Sequence, residues 1–107
     1  IVPMTNTAKQ ARQIVEHGKF APLGQRGFNM RSRGLDYGML PPVESFAKGN
    51  TRTHFFAQIE TMEAVSNLEE ICAVDGLAGI FIGPGDLSAS MGKTGLFDDA
   101  ELIETVA

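Results

Sequence analysis

Apolar residues follow two different spacings along this chain, and the spacings alternate from one segment to the next. Three short apolar runs have the length of strands: the first four residues, Thr53–Ile59 and Leu77–Ile82. After each run, apolar residues recur at the three- and four-residue intervals of a helix with one buried face. The order of strand, helix, loop and helix, strand, helix, strand and helix predicts an α/β protein. Its sheet is expected to be parallel and covered by helices.

Capping residues and apolar spacing predict four helices. The first covers Thr7–His17, the second Met39–Lys48 and the third Thr61–Val74, while the last begins at Asp98. Residues 19–35 are rich in glycine, proline and basic residues, which predicts an irregular loop. Five residues of the third helix are expected to face the core: Ala64, Val65, Leu68, Ile71 and Cys72.

A carboxylate follows each of the last two apolar runs. Glu60 comes directly after Ile59, and Asp86 comes after the Gly83-Pro84-Gly85 segment. The carboxyl ends of neighbouring parallel strands meet at one edge of a sheet, where parallel barrels build their sites. We therefore expect the two carboxylates to lie at the same rim.

The residues around this pair favour a hard cation and an anionic ligand. Gln58 shares a strand face with Glu60, and buried polar groups without partners are costly. No histidine or cysteine lies nearby in sequence, so the oxygen donors predict Mg²⁺ or Mn²⁺ and not zinc. The glycine-rich segment is expected to form a turn whose Gly85 and Asp86 amides donate to an anion. A metal-chelated 2-oxo acid would suit this site, because a Lewis acid stabilises an enolate.

Composition narrows the function without naming it. The chain has 107 residues, of which 43% are hydrophobic and 21% charged, with a formal net charge of −4. This balance argues against nucleic acid as a partner, because such binding depends on positive charge. No apolar run is long enough to span a membrane, and one cysteine fits a reducing cytoplasm. Neither a dinucleotide fingerprint nor a P-loop is present.

Structural roles compete with these functional ones. A single strand-end carboxylate is more often a cap or an ion-pair partner, whereas the pair beside Gln58 favours a functional site. His17, His54 and Cys72 are interpreted as structural residues. Arg26 has two open interpretations: it guides an anionic substrate, or it orders its loop through a salt bridge.

Five segments in register resemble the HpcH/HpaI aldolase family of class II pyruvate aldolases. That family includes 4-hydroxy-2-oxoheptanedioate aldolase and 2-dehydro-3-deoxyglucarate aldolase. The segments span nearly the whole chain in the expected order. They are Val2–Met4 followed by Asn6–Thr7, then Pro22–Gly27, Gln58–Thr61, Asn67–Ile71 and Gly79–Ser88.

The resemblance implies a fold, a site and an activity. The fold would be a (β/α)₈ TIM barrel, with residues 1–107 forming about strands 4 to 6 of a domain truncated at both ends. Glu60 and Asp86 would bind the divalent metal, which is Mg²⁺ or Mn²⁺, with Co²⁺ as a further option. The 2-oxo acid would contact Gln58, Gly85 and Asp86. The complete enzyme would be a cytoplasmic trimer or hexamer that cleaves 4-hydroxy-2-oxo acids to pyruvate and an aldehyde.

The catalytic base and the pyruvate-binding arginine of the family are expected upstream of Ile1. Neither His17 nor His54 matches the base, and no arginine here matches the other position. No catalytic residue is therefore assigned, and the segment alone is expected to be inactive. Two alternatives stay open: an enzyme of the citrate-lyase-β or malyl-CoA-lyase type, and a non-catalytic truncated barrel fragment.

Overall fold

The predicted alternation of strands and helices is mostly present in the computed structural model, which describes residues 1–107. The first predicted strand is reduced to a single bridge at Val2, and the last helix begins at Ala100 behind an Asp99 cap and not at Asp98. A 3₁₀ segment also lies between the first two α-helices, over Arg33–Gly38, and is kinked at Leu35, Asp36 and Tyr37, whose dihedral angles are not helical. None of the helices is both long and apolar enough to cross a membrane. The elements are α1 (Ala8–Gly18), α2 (Pro42–Arg52), β1 (Phe55–Ile59), α3 (Met62–Ser66), α4 (Leu68–Cys72), β2 (Leu77–Ile82), α5 (Pro84–Ser90) and α6 (Ala100–Val106).

The sheet is parallel, as the sequence predicts. β1 pairs with β2, and Ile59 lies opposite Ile82 at their carboxyl ends. On the other edge of β1, Val2 forms a parallel bridge with Ala57. Beyond β2, the Gly83 N–H donates to the Ile59 carbonyl over 2.9 Å. The segments that follow β1 and β2 therefore start side by side.

The core lies on one face of β1. Ala57 and Ile59 are buried there, whereas Gln58 and Glu60 belong to the opposite face because strand side chains alternate. The helices that cover the core face bring mostly small residues, which lets their backbones lie close to the sheet. The seven-residue core is Ala8, Ala11, Ala57, Ile59, Ala64, Ile71 and Val74.

The predicted helix Thr61–Val74 is wrong as a single element. It is broken at Asn67, which has φ −103° and ψ 13° and separates α3 from α4. The Asn67 side chain donates to the Asn6 carbonyl over 2.9 Å, so a distant segment fixes the break. The expectation that Cys72 faces the core is also wrong, because Cys72 is exposed.

The expectation of an irregular loop over residues 19–35 is only partly right. The 3₁₀ helix begins within it, and Phe20 stacks on Phe46 of α2 with ring centroids 4.7 Å apart. The Arg26 guanidinium lies 4.6 Å from the centroid of Phe20, a cation–π geometry, and forms no salt bridge. An aromatic contact therefore replaces the ion pair considered for Arg26.

Two salt bridges from Lys93 hold the connection between α5 and α6. The Lys93 ammonium lies 2.6 Å from Asp99 Oδ1 and 2.6 Å from Glu101 Oε2. Asp99 also caps α6, accepting from the Leu102 N–H over 3.2 Å. The hydrogen bond from Lys93 lowers the pKa of Asp99. Hydrogen bonds to Asp99 and Glu101 raise the pKa of Lys93.

These shifts predict that the connection weakens at both pH extremes. Because the pKa of Asp99 is lowered, its ion pair stabilises the connection fully above the pKa of an ordinary aspartate. This stabilisation is lost as the pH falls through the lowered pKa. Because the pKa of Lys93 is raised, its ion pairs stabilise the connection fully below the pKa of an ordinary lysine. This stabilisation is lost as the pH rises through the raised pKa.

We expect the Leu102 amide to lose hydrogen-exchange protection in acid, after correction for intrinsic exchange. Asp99→Asn should remove that acid dependence and the exposed Asp98→Asn should keep it; acid-independent protection in the unmodified chain would contradict this.

Candidate metal and substrate site

A buried carboxylate lies at the carboxyl end of β1. Glu60 is only 2% exposed. Its Oε1 accepts from the Met4 main-chain N–H over 2.6 Å, and its Oε2 accepts from the Gln58 side-chain amide over 2.6 Å. These bonds offset part of the cost of burying the group. An ionised carboxylate has about four lone-pair sites, so each oxygen keeps capacity for a further ligand.

The space for this carboxylate depends on Gly83. A Cβ at Gly83 would lie 2.7 Å from Glu60 Oε2 and 2.8 Å from Gln58 Nε2. The residue has φ −106°, which any amino acid can adopt, so its backbone conformation does not require glycine. The absence of a side chain is what lets the two polar groups lie against the end of β2.

The expected glycine-rich turn is instead the first turn of a helix. Pro84 occupies an N-terminal position of α5, which suits its fixed φ and missing N–H. Gly85 and Asp86 follow in the same turn, and both are exposed. Nothing lies within 4 Å of a Cβ placed at Gly85, so the chain around it is open.

The structure thus brings two of the predicted site residues, Gln58 and Glu60, into contact and leaves Gly85 and Asp86 apart from them. Gln58 and Glu60 are hydrogen-bonded to each other, and the main chain at Gly83 lies against both. Asp86 lies three residues after Gly83, at the same end of the sheet. Its side chain forms no hydrogen bond or salt bridge with Gln58 or Glu60.

Sequence reasoning missed three groups near this site. The Met4 N–H carries no signal in the sequence, because it belongs to the main chain. Gly83 was read only as part of a turn. Ser88 is fully buried in α5; its hydroxyl donates to the Gly85 carbonyl over 2.7 Å and accepts from the Gly95 N–H over 3.1 Å. Ser88 thereby ties the first turn of α5 to the following loop.

The donor chemistry fits a hard divalent cation. Glu60 and Asp86 offer carboxylate oxygens, and no group of three or more His, Cys, Asp or Glu side chains could hold a metal in the chain. Mg²⁺ commonly uses one or two protein carboxylates and completes its shell with water and substrate oxygens. His17 lies in the last turn of α1, where a structural role was expected for it, whereas the exposed Cys72 does not have the core position expected of it.

Parallel strands with helices on one face, and polar side chains at their carboxyl ends, are typical of α/β proteins, including α/β barrels. The sequence profile of the HpcH/HpaI aldolase/citrate lyase family matches residues 1–107. The chain belongs to that family, which confirms the resemblance found in its motifs.

Individual relatives agree with this assignment. The chain is 39% identical over 95 residues to a 5-keto-4-deoxy-D-glucarate aldolase of Klebsiella pneumoniae, covering 89% of the chain and 36% of the relative. It is 41% identical over 93 residues to a 2-keto-3-deoxy-L-rhamnonate aldolase of Salmonella paratyphi B, covering 86% and 34%. The chain therefore spans about a third of the length of these curated relatives.

A solved relative has the same fold. The crystal structure of an HpcH/HpaI aldolase from Desulfitobacterium hafniense superposes with a TM-score of 0.87 at 30% identity, covering 97% of this chain and 40% of that one. The α/β barrel fold predicted from the sequence is confirmed by this agreement.

Proposed function

We propose that this chain supplies the metal-binding and substrate-binding rim of a divalent-metal-dependent aldolase. The reaction is retro-aldol cleavage of a 4-hydroxy-2-oxo acid to pyruvate and an aldehyde. The observation that carries the proposal is the buried Glu60 carboxylate, which two donors orient at the rim of the sheet. The names of two similar relatives, both aldolases, support the reaction class.

Glu60 and Asp86 would hold the ion, which is Mg²⁺ or Mn²⁺, with Co²⁺ as a further option. The chemistry that a bound ion supplies is Lewis-acid stabilisation of negative charge on the oxygens of the 2-oxo acid. Two protein carboxylates leave coordination positions for substrate oxygens. The open surroundings of Gly85 and the exposure of Asp86 keep access to this rim from solvent.

Gln58 would link substrate binding to the carboxylate. Its Nε2 carries two hydrogens, and the bond to Glu60 Oε2 uses one of them. The second hydrogen can donate to an oxygen of the 2-oxo acid, as can the main-chain N–H groups of Gly85 and Asp86. Because one amide group would touch both partners, it would fix the substrate relative to Glu60.

The rest of the proposal concerns the complete barrel. The chain measures 53 × 23 × 18 Å, and its radius of gyration is 17.0 Å, compared with about 13 Å for a compact domain of this length. Phe81 pairs with Gln58 in the sheet, and is 48% exposed. We propose that further strands of the same polypeptide cover this face and bring the catalytic base and a pyruvate-binding arginine. The whole would be a cytoplasmic homo-oligomer, a trimer or hexamer.

The metal requirement gives the direct test of this function. We expect the full-length protein to release pyruvate from 4-hydroxy-2-oxo acids, and a chelator to lower the rate by about 100-fold or more, because Lewis-acid catalysis is worth several kcal/mol. Adding Mn²⁺ or Mg²⁺ should restore the rate. Unchanged pyruvate release from the chelated and dialysed protein would contradict the proposal.

The family description also includes citrate lyase, so cleavage of an acyl-CoA thioester is a second candidate. The same assay separates the two reactions, because the aldolase acts on free 4-hydroxy-2-oxo acids and the lyase requires the acyl-CoA thioester.

A non-catalytic fragment is the remaining alternative. The natural polypeptide should have a mass of about 25 kDa or more if it forms a full barrel. A natural product of 11.5 kDa would support the fragment.

A further inference from the structure

Met4 has a backbone conformation that its residue type disfavours. Its φ is +54°, in the left-handed region, where side chains with a Cβ are strained. The side chain is 52% exposed, so burial of the thioether does not explain the strain. Two other non-glycine residues share this conformation, Asp36 and Tyr37, and both lie at the kink that interrupts the 3₁₀ segment Arg33–Gly38.

The chain is fixed directly before Met4. The Val2 N–H donates to the Phe56 carbonyl, and the Val2 carbonyl accepts from the Gln58 N–H, both over 2.9 Å. The buried Thr5 hydroxyl also donates to the Val2 carbonyl over 3.0 Å. Val2 therefore cannot shift along β1 without losing its two main-chain bonds to that strand.

The chain is fixed again directly after Met4. Asn6 Oδ1 accepts from the Thr61 hydroxyl over 2.7 Å, and the Asn6 carbonyl accepts from the Asn67 side chain over 2.9 Å. Thr7 then caps α1 in a reciprocal capping box with Gln10. With both flanks held, Met4 is where the chain takes the left-handed bend between the sheet and α1.

That bend places one donor at the site. The Met4 N–H lies 2.6 Å from Glu60 Oε1, while Gln58 occupies Oε2, so a donor at each oxygen fixes the plane of the carboxylate. We propose that the Met4 main chain is a positioning group, whose left-handed conformation orients the Glu60 carboxylate for a divalent cation. This role rests on the proposed function of Glu60 as a metal ligand. Groups that orient a ligand typically change metal affinity by about 10–100-fold when removed.

Substitutions can separate the main chain from the side chain. Glycine adopts positive φ freely, whereas β-branched valine disfavours it. In the full-length protein, Met4→Gly should keep its Mn²⁺ affinity within about twofold of the unmodified protein. Met4→Val should weaken it about tenfold. Tyr37→Val is the matched control, because Tyr37 also has φ +54° and lies outside the site.

Mn²⁺ affinity is read from the electron paramagnetic resonance signal of the free ion, without any activity assay. Equal affinity of Met4→Val and the unmodified protein would overturn the role of Met4. An equal loss in Met4→Gly and Met4→Val would assign the effect to the side chain and also overturn it. A protein that binds no Mn²⁺ at all would overturn the proposed function together with this role.

A second measurement decides the matter if Met4→Val does not fold. The amide proton of Met4 should resonate far downfield, because its short hydrogen bond ends on a carboxylate. It should move upfield in Glu60→Gln, where the acceptor is a neutral amide. An amide proton that does not move in Glu60→Gln would overturn the proposal.

Discussion

Replacing Glu60 with glutamine is expected to abolish detectable Mn²⁺ binding and to lower aldol cleavage by about 1,000-fold or more. The substitution keeps the size of the side chain and removes its charge, which is the part a hard cation needs. A glutamine oxygen can still accept from the Met4 N–H. The Gln58 amide must rotate to avoid facing a second N–H₂ group, which its two-fold geometry allows.

The fold should survive this change, because an uncharged amide is cheaper to bury than a carboxylate. Circular dichroism and Mn²⁺ titration of the same samples separate loss of binding from loss of structure. Glu63→Gln is the matched control, since Glu63 is an exposed carboxylate of α3 without an ion-pair partner. A folded Glu60→Gln protein that binds Mn²⁺ as tightly as Glu63→Gln would show that Glu60 is not a ligand.

Replacing Gly83 with alanine is expected to damage the site through a single methyl group. The new Cβ would lie 2.7 Å from Glu60 Oε2 and 2.8 Å from Gln58 Nε2, closer than atoms in contact can approach. Either the hydrogen-bonded pair shifts or the end of β2 moves away. Overpacking of this kind costs about 1–3 kcal/mol of unfolding free energy. We also expect Mn²⁺ affinity to fall by about tenfold or more, because the Glu60 carboxylate leaves its orientation.

Gly34→Ala is the control for this substitution, because nothing lies within 4 Å of a Cβ at that position and its φ is not positive. Denaturant unfolding and Mn²⁺ titration of both variants give the comparison. A Gly83→Ala protein that matches Gly34→Ala in both stability and affinity would mean that the space at Gly83 is not needed.

The general fold could be predicted because it depends on local patterns. Strand alternation predicts that Gln58 and Glu60 share one face of β1, and the structure has Ala57 and Ile59 of the other face in the core. The break at Asn67 could not be read in the same way, since it depends on a contact with the distant Asn6. The core-facing spacing continues across the break through Ala64, Leu68 and Ile71, but the exposed Cys72 lies beyond the face that it defines.

Only the parts of the site that side chains form could be predicted from the sequence. Gln58 and Glu60 stand out in the sequence because polar residues end an apolar strand, and the structure brings them into contact. The donor from Met4 belongs to the main chain, so no residue type indicates it. Pro84 and Gly85 resemble a turn in sequence, yet proline also suits the first turn of a helix, and α5 begins there.

The most direct test of the account is anomalous diffraction from crystals of the full-length protein grown with Mn²⁺. We expect one manganese peak at a coordination distance of roughly 2.2 Å from a carboxylate oxygen of Glu60 and from one of Asp86, slightly longer than the distance for Mg²⁺. The bonds from Met4 and Gln58 to Glu60 should still be present. A peak elsewhere, with Glu60 bound only to Met4 and Gln58, would contradict the central claim.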